Sequence, residues 1–294
     1  MQRYLPYLAA SFTGIQVGAA LVASEAVVET TGAAGLGFWR YLIAIVVLVP
    51  FWVVNRVRPV TCSDLGLISI IGIGQFGLLI AMLNIAVLFA TSARVSFIFA
   101  TLPLVTLAFE RVKSQTHIDK LEVAAIFMSI FGIAFLLGAD LTSSATSRFE
   151  LLGLFAALVA TVTGAVCSVY LSPYVRRYGG VQVSLLAMLA SLLPLGAAAG
   201  FETSTLSLED WTQRTALLVF AIGLSSGAGL WCWLYALSKI PAAHVTAFLG
   251  LSPITAIVLT VMGTERIPTP SMALALGLVV GALVLLTLAK SGRS

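Results

Sequence analysis

Charged side chains are scarce in this sequence of 294 residues. Asp, Glu, Lys and Arg together make up 10% of it, whereas soluble domains carry roughly 25%. Hydrophobic residues account for 60%, and the mean hydropathy is +1.06. So few charges leave no room for a soluble domain of useful size. The sequence therefore predicts an integral membrane protein.

Residues that carry out chemistry are scarce as well. The chain has two histidines, no HExxH segment, no phosphate-binding loop of the Walker type, and no aspartate inside an apolar segment. Its three cysteines, Cys62, Cys167 and Cys232, form no CxxC pair, which argues against a metal site or a disulfide. We therefore expect no enzymatic activity, no cofactor and no metal centre.

Carboxylates are missing from the middle of every apolar segment. Glu25 and Glu110 lie near segment ends, and the uncharged Gln16 occupies the middle of the first segment. A proton-coupled exporter of organic cations needs a buried acid that binds either a proton or the cation. The absence of carboxylates from the middle of the apolar segments therefore favours transport of a neutral or zwitterionic solute.

What the chain has instead is a series of ten apolar segments of membrane-spanning length. They cover residues 4–23, 34–54, 65–90, 92–110, 121–139, 151–172, 181–200, 214–238, 241–263 and 270–289. Most Lys and Arg residues fall on the side of the termini, and the acids collect on the opposite side. By the positive-inside rule we expect both termini in the cytoplasm of a bacterium and the chain in its inner membrane.

The two halves of the sequence match at an offset of 150 residues. Thr13-Gly14 recurs as Thr163-Gly164, and Pro103 recurs as Pro253. An odd number of crossings in each half turns the second copy upside down, which is the usual construction of secondary transporters. We predict an all-α integral membrane fold of ten transmembrane helices in two inverted five-helix repeats, residues 1–145 and 146–294.

Two symmetry-related segments carry most of the candidate site. TSARVSFIFATLPL (91–104) and PAAHVTAFLGLSPI (241–254) each contain a proline that kinks a helix and frees a carbonyl. Arg94 and His244 occupy matching positions in the two segments. Each is interpreted either as a residue whose polar end reaches the membrane interface or as part of the transport pathway. We expect conformational roles for residues at equivalent places in the repeats: Pro103, Pro253, Gly77 and Gly227.

Polar and aromatic residues inside the apolar segments are the remaining candidates. An arginine as deep as Arg40 must face a cavity or an ion-pair partner. In the eighth segment Gly227, Trp231 and Tyr235 share one helical stripe. Each candidate has a competing interpretation as helix packing. The predicted substrate-binding set is Gln16, Arg40, Gln75, Asn84, Phe97, Thr101, Trp231, Tyr235, His244 and Phe248.

The two proline-containing segments, the Gly-Thr-Glu265-Arg sequence before the tenth segment and the glycines of the fifth and tenth segments resemble the EamA-type family of the drug/metabolite transporter superfamily. The resemblance covers the whole chain. It implies ten helices, inward termini, a central cavity and export of small metabolites. In length and character the chain is most similar to bacterial exporters of aromatic and other neutral amino acids, the YddG type.

We therefore expect a transporter that exports small amphipathic metabolites, with aromatic and other neutral amino acids as leading substrates, by alternating access around a central cavity. Efflux of drugs or nucleotide-like solutes is the second transport interpretation. A channel or a receptor is the interpretation from another class. The expected partners are a small-molecule substrate and the lipid bilayer, without nucleic acid, and either a monomer or a homodimer fits the sequence.

Overall fold

The computed structural model describes residues 4–54, 58–115, 120–142, 148–202, 211–240, 245 and 248–264, together with most of 273–285. Regular structure in these residues is helical throughout. The helices are α1 Leu5–Thr31, α2 Ala33–Val54, α3 Cys62–Gly72, α4 Leu79–Phe89, α5 Ser92–Phe99, α6 Leu102–Ser114, α7 Lys120–Thr142, α8 Arg148–Tyr178, α9 Gly180–Phe201, α10 Gln213–Lys239 and α11 Leu251–Thr264. A π-helical segment, Ile73–Leu78, joins α3 to α4, and a 3₁₀ turn, Phe248–Gly250, precedes α11.

Seven helical stretches of the described chain are long and apolar enough to cross a membrane. They are Leu5–Thr31, Ala33–Val54, Cys62–Phe89, Ser92–Lys113, Arg148–Tyr178, Gly180–Phe201 and Gln213–Lys239. The outward side chains of these helices are large and apolar, as on Val54, Leu193 and Phe201. Such side chains belong in lipid rather than water. The prediction of an all-helical, multi-pass membrane protein is confirmed.

Glycines and threonines in the short connections determine where several helices begin and end. Gly32, with φ of 72°, is the single residue between α1 and α2. Gly179, with φ of 91°, is the single residue between α8 and α9. Both angles lie in a region that side chains with a Cβ rarely adopt. Thr61 and Thr212 cap α3 and α10 by accepting the N–H of the residue three positions on.

The two halves of the chain pack against each other in a reciprocal pattern. Helix α1 of the first half packs on α10 of the second, and α8 of the second half packs on α4 of the first. Helix α1 also packs on α11, and α8 packs on α5 and α6. Helices α2 and α9 pack directly on each other. The largest buried apolar cluster lies in this shared interface, so neither half forms its core alone.

Candidate functional site

A cavity of about 240 Å³ lies in the interface between the two halves. Its wall is mostly apolar and is built from α1, α2, the π-helical segment, α4, α5, α6, α8, α9, α10 and the 3₁₀ turn before α11. The lining residues are Thr13, Gln16, Val17, Leu21, Arg40, Tyr41, Gln75, Phe76, Leu79, Ile80, Leu83, Phe99, Leu102, Ser168, Met188, Ser226, Gly229, Leu230, Trp233 and Leu249. We call it the central cavity.

Aromatic rings form part of the wall of the central cavity. Tyr41 and Phe76 meet edge to face, with ring centroids 5.4 Å apart and planes at 89°. Phe99 and Trp233 contribute further aromatic surface. Such rings offer flat apolar faces, and Tyr and Trp add one polar edge each. The wall therefore suits a solute with an apolar or aromatic part.

Two glutamines place amide groups in the central cavity. The Gln16 Nε2 donates to the Ser225 hydroxyl at 3.3 Å, and the Ser168 hydroxyl donates to the Gln75 Oε1 at 3.4 Å. The other polar atom of each amide makes no hydrogen bond within the described part of the chain. These amides can therefore accept a hydrogen bond from a solute at Gln16 and donate one at Gln75.

Gln16 has its position because α10 approaches α1 closely at a glycine. A Cβ added to Gly229 would lie 2.6 Å from the Gln16 Oε1. The Thr13 hydroxyl donates to the Gly229 carbonyl at 3.1 Å and fixes the register of the two helices. Helix contact through small residues is usual in membranes, where apolar surface gains nothing by leaving lipid. Here the same contact leaves room for a polar side chain at the cavity wall.

Arg40 is the one cationic residue among the described residues that line the central cavity. It is the eighth residue of α2, which places it about 10 Å along the axis from the start of the helix. Its Nε is buried without a hydrogen-bond partner, and the ion pairs between described residues join Arg94 to Glu150, Arg111 to Glu122 and Arg177 to Asp64. Its guanidinium therefore faces the cavity without a counterion from the described chain.

The two neighbours of Arg40 fix the rotation of α2. Trp39 meets Trp211 edge to face at 5.9 Å on one side, and Tyr41 packs against Phe76. With both neighbours held in place, the side chain between them is directed to the cavity. Of the two roles considered for Arg40, the described contacts match the cavity rather than an internal ion pair.

Gln75 and Phe76 both line the central cavity. They belong to the π-helical segment Ile73–Leu78. Such turns occur often at functional sites. Gly77 lies in the same segment, where an added Cβ would meet the Ser191 Cβ at an ordinary 3.5 Å.

Both proline segments show a break in the helix next to the cavity. Between α5 and α6 the chain turns at Ala100 and Thr101, and Pro103 lies in the first turn of α6. In the second half the 3₁₀ turn Phe248–Gly250 precedes α11, in whose first turn Pro253 lies. Prolines are tolerated at such positions because the missing N–H has no helical partner there. The breaks bring Phe99, Leu102 and Leu249 to the cavity wall.

Four predicted substrate-binding residues lie elsewhere in the structure, in each case because a closer partner takes the side chain. The Asn84 amide donates to the Ala33 carbonyl at 2.8 Å. Phe97 packs in a separate small cluster, and the Thr101 hydroxyl donates to the Ile98 carbonyl freed at the helix break. The Phe248 ring meets the Tyr7 ring edge to face at 6.5 Å.

The eighth predicted segment presents a different stripe to the central cavity from the one expected. Gly227 packs against α2, where an added Cβ would lie 2.9 Å from the Val47 Cβ. Trp231 stacks on Tyr235 at 5.7 Å, away from the cavity. The residues that line the cavity from α10 are Ser226, Gly229, Leu230 and Trp233. Their spacing is the ordinary one for a single helix face and could have identified Trp233.

Of the predicted substrate-binding set, the structure brings Gln16, Arg40 and Gln75 together at the central cavity. Tyr235 lies nearer one end of the helices, and His244 lies outside the described residues. The cysteines are free, and no group of three His, Cys, Asp or Glu side chains in the described ranges could hold a metal ion.

The central cavity continues towards one end of the helices. A second cavity of about 340 Å³ shares Gln75, Ser168 and Trp233 with it and extends past Pro103 to Glu110. A third, of about 940 Å³, shares Leu234 with the second and reaches Arg58 and Arg176. We call this the open end. Helices α6 and α10 provide opposite walls of the second cavity.

The opposite end, which we call the closed end, is held by contacts between helix termini. The Ser92 N–H donates to the Glu25 carboxylate at 2.8 Å, and Arg94 pairs with Glu150 across the two halves. The Glu202 carboxylate accepts N–H groups from the first turn of α2 at 3.0–3.2 Å. Phe89 and Phe149 stack beside them at 5.9 Å. In the described chain, further cavities therefore follow the central cavity towards the open end, whereas the helix ends are in contact at the closed end.

Comparisons with known proteins agree with the repeated architecture. A model of the EamA-like transporter family matches residues 5–138 and again residues 151–288. A relative from Streptantibioticus cattleyicolor, described as a probable terminal-alkyne amino-acid exporter, is 28% identical over 280 residues, or 94% of this chain and 86% of the relative. An uncharacterized transporter from Clostridium kluyveri is 22% identical over 227 residues, or 76% and 73%. A crystal structure with a TM-score of 0.70, 19% identity and 97% coverage of each chain shares the fold.

Proposed function

This chain belongs to the EamA-like transporter family, and we propose that it exports small amphipathic metabolites, with aromatic and other neutral amino acids as the leading substrates. The family consists of transporters, so the chain is a membrane transporter and not an enzyme. The relative described as a probable amino-acid exporter supports the choice of substrate class.

The single observation that carries the proposal is the central cavity, which has a second cavity beside it towards the open end and contacts between helix termini at the closed end. A carrier needs a site that reaches one side at a time, whereas a channel needs a path to both. The size of the cavity, its aromatic wall and its few polar groups suit one small amphipathic molecule. We infer alternating access, with the two halves moving about the cavity between the observed form and one open at the other end.

The orientation follows from the basic residues. Described residues at the open end include Arg58, Lys113, Arg176, Arg177 and Lys239, which is the pattern expected of a cytoplasmic side. We therefore place the open end and both termini in the cytoplasm, with the chain crossing the inner membrane ten times as two inverted repeats, residues 1–145 and 146–294. In this orientation the observed form takes up its substrate from the cytoplasm, as an exporter must.

The test is counterflow in proteoliposomes. Purified protein is reconstituted, the lumen is loaded with unlabelled phenylalanine or leucine, and entry of the labelled amino acid is followed. We expect saturable entry that depends on the loaded amino acid. Labelled entry without loading, or without saturation, would indicate a channel. The absence of counterflow with every neutral amino acid would refute the substrate class. Exchange of drugs or nucleotide-like solutes instead would establish efflux of those solutes as the function.

A matched pair of variants ties the activity to the central cavity. Ser226 lines the cavity on α10, whereas Leu193 on α9 is 81% exposed on the lipid-facing surface. Ser226→Trp should fill the site and abolish counterflow, and Leu193→Trp should leave it unchanged. Equal counterflow in the two variants would show that transport does not use this cavity.

A further inference from the structure

The electrostatics of the central cavity are one-sided. Arg40 contributes a positive charge, and no carboxylate occurs among the described residues that line the cavity. Carboxylates on the neighbouring helices are bonded elsewhere, since Glu25 accepts the Ser92 N–H and Glu202 accepts N–H groups of α2. Among the described residues, Glu110 lines the second cavity towards the open end.

An arginine inside a membrane protein is costly unless an anion or many hydrogen-bond acceptors meet it. The cavity that Arg40 lines is mainly apolar, with residues such as Leu21, Leu83 and Met188 in its wall, and its few polar side chains are uncharged. A guanidinium with a buried, unpaired Nε in an apolar cavity is a strong site for a carboxylate, which it can bind through two parallel hydrogen bonds.

We propose that Arg40 binds the carboxylate of the transported molecule, and that this group, rather than an amine, defines the substrate class. The inference rests on the proposed transport function and makes it more specific. An ammonium group in the same cavity meets only uncharged acceptors, such as the Gln16 amide oxygen. The carboxylate is therefore required and the amine is dispensable. The substrate class is that of carboxylates with an apolar part, among which neutral amino acids are one kind.

The same geometry predicts which molecules are rejected. An amine without a carboxylate would bring a second positive charge next to Arg40 and find no anion in the cavity. Amino-acid amides lose the negative charge while keeping the side chain and the amine. Both kinds should therefore be excluded, although their shapes fit as well as those of the acids.

The first experiment measures binding directly, by the thermal unfolding of purified protein in detergent. Three probes share one aromatic group: phenylalanine, 3-phenylpropionate (carboxylate only) and 2-phenylethylamine (amine only). We expect the first two to raise the unfolding temperature and the third to leave it unchanged. Stabilisation by the amine alone, or by none of the carboxylates, would overturn the proposal.

Variants then assign the effect to Arg40. Arg40→Gln should weaken binding of both carboxylates by a factor of about 10 to 100, the range for a hydrogen bond to a charged group. Arg40→Lys keeps the charge but loses the pair of parallel hydrogen bonds, so its affinity for the carboxylates should lie between those of Arg40→Gln and the unchanged protein. Arg214→Gln makes the same chemical change at an exposed position at the start of α10 and should bind like the unchanged protein. Unaltered carboxylate binding in folded Arg40→Gln would overturn the assignment.

Transport gives the second readout and separates the two proposals. In counterflow, 3-phenylpropionate should compete with labelled phenylalanine, and 2-phenylethylamine should not. Carboxylate binding that depends on Arg40 without counterflow would refute the transport proposal and support the site. Counterflow that the amine inhibits as well as the acid does would support transport and refute the site.

Discussion

The contact of α1 with the helix break before α11 gives the sharpest test of the packing. Gly14 lies directly against the backbone there, and a Cβ added to it would overlap the Phe248 carbonyl oxygen. The Leu251 Cβ lies 3.2 Å from the same point. A backbone carbonyl cannot rotate away as a side chain can, so Gly14→Ala must push α1 and the break apart. Overpacking of this kind costs up to about 3 kcal/mol.

The same substitution carries a favourable term that must be subtracted. Replacing glycine by alanine inside a helix stabilises it by about 1 kcal/mol. The net expectation for Gly14→Ala is therefore a loss of up to about 2 kcal/mol. Gly200 in α9 is the matched control, because an added Cβ there meets nothing within 4 Å. Gly200→Ala should be neutral or stabilising.

The assay is thermal unfolding of both variants in one detergent, with recovery of monodisperse protein as a second measure. Gly14→Ala should unfold several degrees below the unchanged protein, and Gly200→Ala should unfold at the same temperature as the unchanged protein or above it. Equal unfolding temperatures would mean that α1 does not approach the break as closely as the structure has it. The close helix packing assigned to this glycine would then be wrong.

Three further substitutions test single contacts. Gly229→Ala should fold, because the flexible Gln16 can turn away, but should weaken substrate binding several-fold in counterflow, since one hydrogen bond to an uncharged group is worth about 1 kcal/mol. Glu202→Gln should lower stability by about 1 kcal/mol, with a loss that shrinks in high salt, because a charge at the start of α2 is removed. Asn84→Ala should cost about 1 kcal/mol, since it removes a buried hydrogen bond, and an unchanged unfolding temperature would contradict that bond.

The membrane class and the repeat could be predicted from the sequence because both depend on patterns many residues long. Apolar length sets the crossings, and an offset of 150 residues is preserved in the reciprocal packing of α1 on α10 and α8 on α4. Neither pattern depends on the rotation of any one helix. Arg40, Gln16 and Gln75 were found at the cavity for a related reason, since polar groups in apolar helices have few other places to go.

The wall of the site depended on local geometry that the sequence does not display. On α10 two neighbouring stripes both contain glycine and aromatic residues, and only packing against α2 shows that Gly227 and Trp231 lie on the other one. Phe76 lies at the cavity beside Gln75 in the π-helical segment, and nothing in the sequence pattern distinguishes it from the other apolar residues of its segment. Thr101 and Asn84 each donate to a backbone carbonyl instead of facing the cavity. Whether such a carbonyl is within reach depends on where the neighbouring helices end, which the sequence does not show.

The composition of the closed end matters for how a carrier of this design could open. Its polar contacts, such as Glu25 with the Ser92 N–H and the Arg94–Glu150 pair, hold groups that water would solvate once that end parted. Each is therefore worth only about 1 to 3 kcal/mol net. Several such contacts together favour the form with this end closed by a few kcal/mol. The binding of one small solute can offset this free energy if the solute binds more tightly to the form in which this end is open. Under the proposed mechanism these contacts break in each cycle.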